Sequence, residues 1–481
     1  MEQVDLADGR RRLRHAIYWI LGILTLGQMT AHIFKAERVY EPSFPRPWPS
    51  VRPEPMPTFS SNDRSRWATV RALVDEGTFV IGRREVDPEK YPEKGYADFG
   101  IVFEDGWQTV DKVLHPERLE FLSSKPPLLP FLLAGEYWLL KYLFGLDIVQ
   151  DRWIVIPLIV WTVNALPFAV FLACLAQLIE QYGRTDWGRV LVYATACLGT
   201  FLTTFANTLN NHTPAACCVM VAVWAVTTGP AGPLAWWRLA LAGFCAGFCV
   251  TLELPAASFA VLLGAILLLV RWRGVLTAYV PALVIPVAAL LALNYASAGM
   301  VTPVYEKFGT IWYEYEGSHW RPAPPGSPPK RGIDFANDPK PIYAFHATFG
   351  HHGLFSLTPV WLLAVGGALA WLVRRGGDAL TRWLGGGTLL LLVVVMGFYI
   401  LRTNNYGGFT SGLRWVFWLT PLLLLTTLPA ADWLGQSRLG RAVCMVCLGV
   451  SAFSSAWPVW NPWRQPWLYE LLTYTGWIDY G

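Results

Sequence analysis

Residues 123–146 read SSKPPLLPFLLAGEYWLLKYLFGL, and whether this stretch crosses a membrane decides the fold. It is apolar enough to do so, yet Glu136 and Lys141 lie within it. Charges at mid-membrane cost at least about 2.5 kcal/mol each on insertion scales. The surrounding chain sharpens the question. Of 481 residues, 54% are hydrophobic and 15% charged, against about 25% charged in soluble domains, so a membrane-embedded chain is expected. Its 25 tryptophans gather at the ends of apolar runs, as at Trp153, Trp187, Trp236, Trp272, Trp371 and Trp457, where an interfacial aromatic belt would stand.

A helix needs roughly 20 residues to span a bilayer, fewer when short or packed among others. Besides 128–146, the candidate runs are 17–34, 153–180, 188–206, 214–228, 239–252, 255–270, 276–295, 355–373, 386–401, 413–431 and 442–457. Long polar insertions fall at 35–127 and 296–354. The basic clusters, at 10–15, Arg271 with Arg273, Arg374 with Arg375 and Arg382, and Arg438 with Arg441, should face the cytoplasm. They agree when both insertions and the tail lie outside. That parity requires one of the runs 128–146 and 153–180 not to cross; 128–146, with Glu136 and Lys141, is the weaker, so a juxtamembrane helix on the outer surface is expected there. The expected fold is an all-α polytopic membrane protein of about 11 spans, N-terminus inside and C-terminus outside. Its segments would be a basic N-terminus and first helix (1–34), an outer catalytic loop with juxtamembrane helices (35–152), and helices at 153–295. A second outer loop (296–354), helices at 355–457 and a Trp-rich outer tail (458–481) follow. No small-residue cleavage site follows the first run, which reads as uncleaved. All eight cysteines lie in apolar runs, so neither a disulfide framework nor a zinc site is expected, and Cys444-x-x-Cys447 reads as packing.

In the first insertion, SSNDRSRWATVRALVDEGTFVIG (60–82) carries a helix signal. Ser61, Asn62 or Asp63 can cap it, Trp67, Val70 and Val74 make a stripe at helical spacing, and Gly77 ends it. An amphipathic helix at the interface is expected. YADFGIVFEDGWQTVDKVLHPERLEFLSSKPP (96–127) suggests a short hairpin with Gly106 in its turn. RPAPPGSPPKRG (321–332) in the second insertion reads as an irregular loop.

A first helix, an outer loop opening with an acidic residue on a helix, and then KPPL before an apolar helix resembles the GT-C glycosyltransferases. Protein O-mannosyltransferases and lipid A aminoarabinose transferases are the nearest in pattern. NNYGGFTSGLRWVFWLTP (404–421) is similar to the Tyr-Gly-Gly…Gly-x-Arg-Tyr segment of some bacterial members, and HHGLFSLTPV (351–360) to a Gly-Leu-Phe…Pro stretch opening a late helix. The motif order covers the first 180 or so residues, and the topology the whole chain. Where those families place an Asp-Glu or Asp-Asp pair followed by an aromatic, this chain has Asn62-Asp63-Arg64 with Trp67. The resemblance implies transfer of a sugar from a polyprenyl-phosphate carrier to a lipid, glycan or protein acceptor, with inversion, on the outer face of a membrane. The relatives suggest the bacterial inner membrane.

Such chemistry needs a carboxylate to take the acceptor's proton and cations to hold the phosphate as it leaves. Asp63 is the expected base and Lys125 the expected phosphate ligand. Arg402 and Arg414 flank RTNNYGGFTSGLR, where either can grip a phosphate in bidentate fashion and the glycines permit close backbone approach. Glu253, at an outer run end before Pro255, His351 and Tyr406 are expected to line the site. His212, His346, His351 and His352 also fall outside; His351–His352 has no third ligand beside it, and no metal or cofactor is expected. Asn211-His212-Thr213 fits a glycosylation sequon but sits in a very short loop before Pro214, so it is not expected to carry a glycan. There is no glycine-rich nucleotide loop, no His-Glu-x-x-His and no nucleic-acid-binding pattern. The rival readings are a transporter or flippase, expected to show mid-membrane charges and an internal repeat, and a GT-C-like scaffold without activity, or a ligase or polymerase sharing the architecture.

Overall fold

The computed structural model describes residues 2–37, 55–228, 234–374 and 378–481; Arg375 and positions 38–54 of the first insertion lie outside them. The chain is a multi-pass membrane protein. Helix α1 (Glu2–Phe34) enters the bundle and leads to the first insertion, which holds α2 (Ser61–Asp75) and strands β1 (Gly82–Val86), β2 (Tyr96–Phe99), β3 (Lys112–Leu114) and β4 (Glu120–Ser123). Then come α3 (Leu128–Phe144), α4 (Arg152–Tyr182), α5 (Asp186–Asn207), α6 (His212–Thr227), α7 (Trp236–Leu252), α8 (Ala257–Gly274) and α9 (Val280–Ala298). The second insertion carries α10 (Lys340–Thr348), and α11 (Val360–Val373), α12 (Ala379–Arg402), α13 (Arg414–Leu434), α14 (Arg438–Ala456) and α15 (Trp467–Tyr474) complete the chain. Among the described residues, seven helical stretches are long and apolar enough to cross a membrane, and α6, α7 and α11 are shorter apolar helices.

One of the seven, 254–298, folds back on itself. Arg271 leaves helical geometry (φ −148°, ψ 48°), and Tyr279 Oη returns to donate to Ala260 O at 2.7 Å. Glycine makes the return possible. Cβ atoms at Gly243 and Gly247 of α7 would collide with the carbonyls of Tyr279 and Leu283, the small-residue approach that lets helices pack closely in a bilayer.

Ion pairs show which helix ends share a face. Arg14 bridges Glu180 at the end of α4 and Asp186 at the start of α5, and the Arg184 and Thr185 amides donate to Asp432 at 2.8 and 2.9 Å. On the other face the two long insertions join. Leu114 N donates to Trp312 O at 3.0 Å, Arg84 to Glu316 O at 2.9 Å and Trp320 Nε1 to Val110 O at 3.0 Å.

Helix α3 belongs to that second face at both ends. Lys125, just before it, pairs with Asp111 at 2.8 Å, and Lys141 in its last turn pairs with Asp75 of α2 at 2.8 Å and Asp147 at 3.2 Å. Lys141 is thus paired with two carboxylates, and Glu136 accepts from Thr162 Oγ1 at 2.9 Å. Tyr137 and Leu140 are buried, while Phe131, Trp138, Leu143 and Phe144 are exposed, an apolar side suited to rest on lipid.

Three expectations are corrected. The protein is not all-α: the first insertion contains a four-stranded antiparallel sheet in the order β2-β1-β4-β3. Its strands are three to five residues long, too short for alternation to announce them. Gly106 is not a hairpin turn; it lies between β2 and β3, which are not neighbours, and the hairpins are β1–β2 and β3–β4. The cap of helix α2 is Ser60, one residue before the first of those expected. It is enclosed rather than interfacial, because Asn62, Ser65, Arg66 and Thr69 are buried along with Trp67 and Val70.

Candidate functional site

The site grows from the first turn of α2. Ser60 caps the helix and Asp63, three residues on, bonds back to the cap amide, a reciprocal capping box. Asp63 Oδ1 accepts from the Ser60 and Arg64 amides at 2.9 and 2.8 Å, and Oδ2 from the Phe59 amide at 3.0 Å and Thr208 Oγ1 at 2.9 Å. An ionised carboxylate has about four acceptor positions, so these bonds use them, and the residue is 1% exposed.

One turn along, two side chains reach away from the cap. Ser65 Oγ donates to Asp111 O at 2.5 Å and meets Ser123 Oγ at 2.6 Å, tying the helix to the segment before β3 and the end of β4. Lys125 follows that strand end, and its Nζ donates to Asp111 Oδ1 at 2.8 Å. Pro126 and Pro127 then turn the chain into α3. Arg66 donates to Asn62 O at 2.9 Å and, through Nη2, to Asn211 Oδ1 at 2.6 Å.

From the far end of the sequence Arg414 opens α13. Its guanidinium lies 4.7 Å from the Trp463 ring centroid, Nη2 donates to Gly407 O at 3.1 Å and Nη1 reaches His212 Nε2 at 3.3 Å. Its Nε is buried without a hydrogen-bond partner. Gly407 holds φ +96°, and a Cβ there would press on that Nε at 3.2 Å. Between the arginines, Asn211 Nδ2 donates to Glu253 Oε1 at 2.7 Å and Leu252 O at 2.8 Å, and His212 Nδ1 meets the same Glu253 oxygen.

Burial would raise the Asp111 carboxyl, but Lys125, with Arg414 and Arg66 beyond it, overcomes burial and holds it below its ordinary value. Burial pushes the Lys125 ammonium down, against the pull of Asp111. Burial and then Arg414 bring Arg66 down to about 10. Glu253 is pushed up to about 8 by burial, opposed by Arg414 and Arg66. The shift favours its protonated form. Arg66, Lys125 and Arg414 are set among Asp63, Asp111 and Asp334, so three buried cations from distant parts of the sequence converge here. A narrow cleft lined by Ser123, Lys125, Pro127, Asn294, Ser297 and Val304 opens beside Lys125.

Of the residues expected at the site, Lys125, Arg414 and Glu253 fall in this cluster. Arg402 ends α12 exposed. Tyr406 and His351 belong to a neighbouring buried network. There Tyr406 and Tyr480 both donate to Asp338 Oδ2, at 2.5 and 2.8 Å, and His351 Nε2 meets Tyr480 Oη at 2.9 Å. His346 stacks on His351 with centroids 4.1 Å apart. Among the described residues, no three His, Cys, Asp or Glu side chains are grouped to hold a metal ion. Sequence reasoning missed Arg66 and Asp111. Nothing marks Arg66 off from Arg64 or Arg71 except that it follows Asp63 by one helical turn. Asn211, discounted as a sequon, is engaged between Arg66 and Glu253 instead.

No protein-family profile matches the chain, and no curated protein matches it by sequence. Among solved structures, the oligosaccharyltransferase of Archaeoglobus fulgidus in its apo form is similar with a TM-score of 0.46 at 9% identity, over 94% of this chain and 57% of that one. The same enzyme with zinc and sulfate gives 0.42 at 10% identity, over 94% and 55%. The chain thus spans a little over half the length of these neighbours, and a likeness of this depth compares outlines, not reactions.

Proposed function

We propose that this protein is a membrane glycosyltransferase that takes a sugar from a polyprenyl-phosphate carrier, with its site on the outer face. In this reading the chain crosses about 11 times: the folded 254–298 stretch counts twice and the shorter helices α6, α7 and α11 span as well. The observation that carries the proposal is the convergence of Lys125, Arg66 and Arg414, from three distant parts of the sequence, on one buried cluster. Cations out of water are stable only with an anion to face, and a phosphate at the bilayer surface supplies one. The orphaned Arg414 Nε is a donor awaiting such an oxygen. The motif order of KPPL, HHGLF and YGGF…GLR points to the same chemistry.

The reaction then follows from charge. The acceptor hydroxyl attacks the anomeric carbon from the side opposite the phosphate, the bond from that carbon to the phosphate oxygen breaks, and the configuration inverts. The leaving polyprenyl phosphate gathers negative charge where the guanidinium and ammonium groups already point, so the transition state is stabilised more than the ground state. A carboxylate takes the hydroxyl proton. Asp63 was expected in that role, but its oxygens are occupied by two cap-region amides, the Arg64 amide and Thr208. We favour Asp111, which stands against Lys125 and is kept ionised, ready to accept the proton as carbon–oxygen bond formation acidifies the hydroxyl.

The test is transfer by the purified protein in lipid nanodiscs, offered a panel of polyprenyl-phosphate sugars and scored for free polyprenyl phosphate and glycosylated product. Release that depends on Lys125 and Arg414 is expected. Neither product from any donor, with no saturable binding of a polyprenyl phosphate, would remove the proposal.

A further inference from the structure

We propose that Glu253 is the positioning residue of the anion site, and that one of its carboxylate oxygens sets the direction of both Arg66 and Arg414. The inference rests on the phosphate-site reading above and deepens it.

Two hydrogen-bonded arms meet on Glu253 Oε1. In the first, Arg66 Nη2 donates to Asn211 Oδ1 and Asn211 Nδ2 donates to Glu253. In the second, Arg414 Nη1 faces His212 Nε2 and His212 Nδ1 faces Glu253. Arginine only donates, so His212 Nε2 is the acceptor. Its proton therefore sits on Nδ1 and points at Glu253, and the tautomer is fixed from both sides. Asn211 is oriented the same way, its oxygen taken by Arg66 and its nitrogen by Glu253 and Leu252 O. Backbone carbonyls anchor the other sides of the two cations: Asn62 O for Arg66 and Gly407 O for Arg414. Each guanidinium is thus pinned at two points, and the Nε of Arg414 is left without a partner. Two like charges are held in register by one group that touches neither.

The arrangement has a pH signature. Protonated, Glu253 still accepts both bonds through Oε1. Ionised, it adds a negative charge beside the arginines and competes with a bound phosphate. The groups that face it are Cys249 one turn back on α7, Asn211 and His212, Arg66, Arg414, Tyr305 of the second insertion and Tyr399 of α12. Burial places the Glu253 change near pH 8, above the second ionisation of a phosphate monoester, near pH 6.

The test is binding of geranyl phosphate to the full-length protein in detergent, measured from pH 6.5 to pH 9 for wild type, Glu253→Gln, Glu253→Ala, Arg66→Ala and Arg414→Ala. Glutamine keeps the oxygen and removes the titration. Glu253→Gln is expected within about threefold of wild type at pH 7, and flat at the alkaline end where wild type weakens several-fold. Glu253→Ala removes the shared acceptor and is expected to bind about tenfold more weakly, roughly as either arginine variant does. Wild-type affinity in Glu253→Ala alongside weakened arginine variants overturns the positioning role. So does Glu253→Gln that keeps the wild-type alkaline weakening, a result that does not depend on whether Glu253→Ala folds. Failure of wild type to bind geranyl phosphate at any pH is a different outcome: it removes the phosphate site itself, and the positioning role with it.

Discussion

Substituting Asp63 separates two roles that one carboxylate cannot fill equally. In Asp63→Ala the Phe59 and Ser60 amides lose their acceptor, while the Arg64 amide keeps Ser60 O at 3.1 Å. Thr208 Oγ1 keeps only the bond it receives from Trp463 Nε1. A buried donor left unmatched costs about 1–3 kcal/mol, and loss of a helix cap about 1 kcal/mol. The Ser60 cap itself is kept, so the two amides predict a loss of about 2–6 kcal/mol. Asp63→Asn keeps one acceptor oxygen but turns its NH₂ toward donors, so about 2 kcal/mol is expected. Unfolding of a polytopic protein is seldom reversible, so the assay is the half-life of the folded state in detergent at fixed temperature. Proteolysis of the 55–127 segment reports where the loss falls. Asp111→Asn unpairs Lys125 and should also shorten that half-life, but it alone should lower the turnover of the protein still folded, by about 10²–10⁴, the range for a lost general base. The opposite pattern would refute the reasoning. If Asp63→Asn is as long-lived as wild type and inactive, while Asp111→Asn retains turnover, Asp63 is the base and the capping argument misjudged it.

Other outcomes follow from the same geometry. Lys125→Ala should raise donor KM and lower kcat together, and Lys125→Arg should recover part of both; recovery by neither would place Lys125 outside the phosphate contact. Because Lys125 holds the folded-state pKa of Asp111 below 3.8, the stability Asp111 contributes is fully present above that pH and is lost as pH falls through the depressed value. Wild type and Asp111→Asn should therefore converge in half-life under acid, and a gap that widens instead would reverse the assigned sign. Asp147→Cys should be labelled by an impermeant thiol reagent from the same side as Asp75→Cys, and Arg184→Cys from the opposite side. Labelling of positions 75 and 147 from opposite sides would mean that α3 crosses. Tyr480→Phe removes one of two hydroxyls on Asp338 and should shorten the half-life with little change in donor binding, since Tyr480 bonds the neighbouring histidine network rather than the cations.

The membrane class was legible because it depends on composition and run length, which are properties of the chain itself. The expectation for α3 came from the same kind of reading: charge parity along the sequence left one run too many, and Glu136 with Lys141 named it. The strands β1 to β4 were not legible. Their residues, as in GRREV and YADF, are short and charged, and their pairing depends on partners up to some 40 residues away. Asp63 shows a subtler limit. Its position, three residues after a serine at a helix start, announces a capping box as plainly as it announces a family motif, and only the count of bonds on each oxygen separates the two.

The sequence by itself determined that this chain lives in a bilayer, where its long polar insertions fall, and that Lys125, Glu253 and Arg414 stand at the ends of apolar runs. Hydrophobic segregation acts on every residue wherever its neighbours are, so it can be read in one dimension. Tertiary structure decided which charges face one another. It set Asp111 rather than Asp63 against Lys125, drew Arg66 and Arg414 to the two arms of one glutamate, and led Tyr406 and His351 into a separate network. Electrostatic and hydrogen-bond energies fall away within a few ångströms, so they depend on distances that only the folded chain defines.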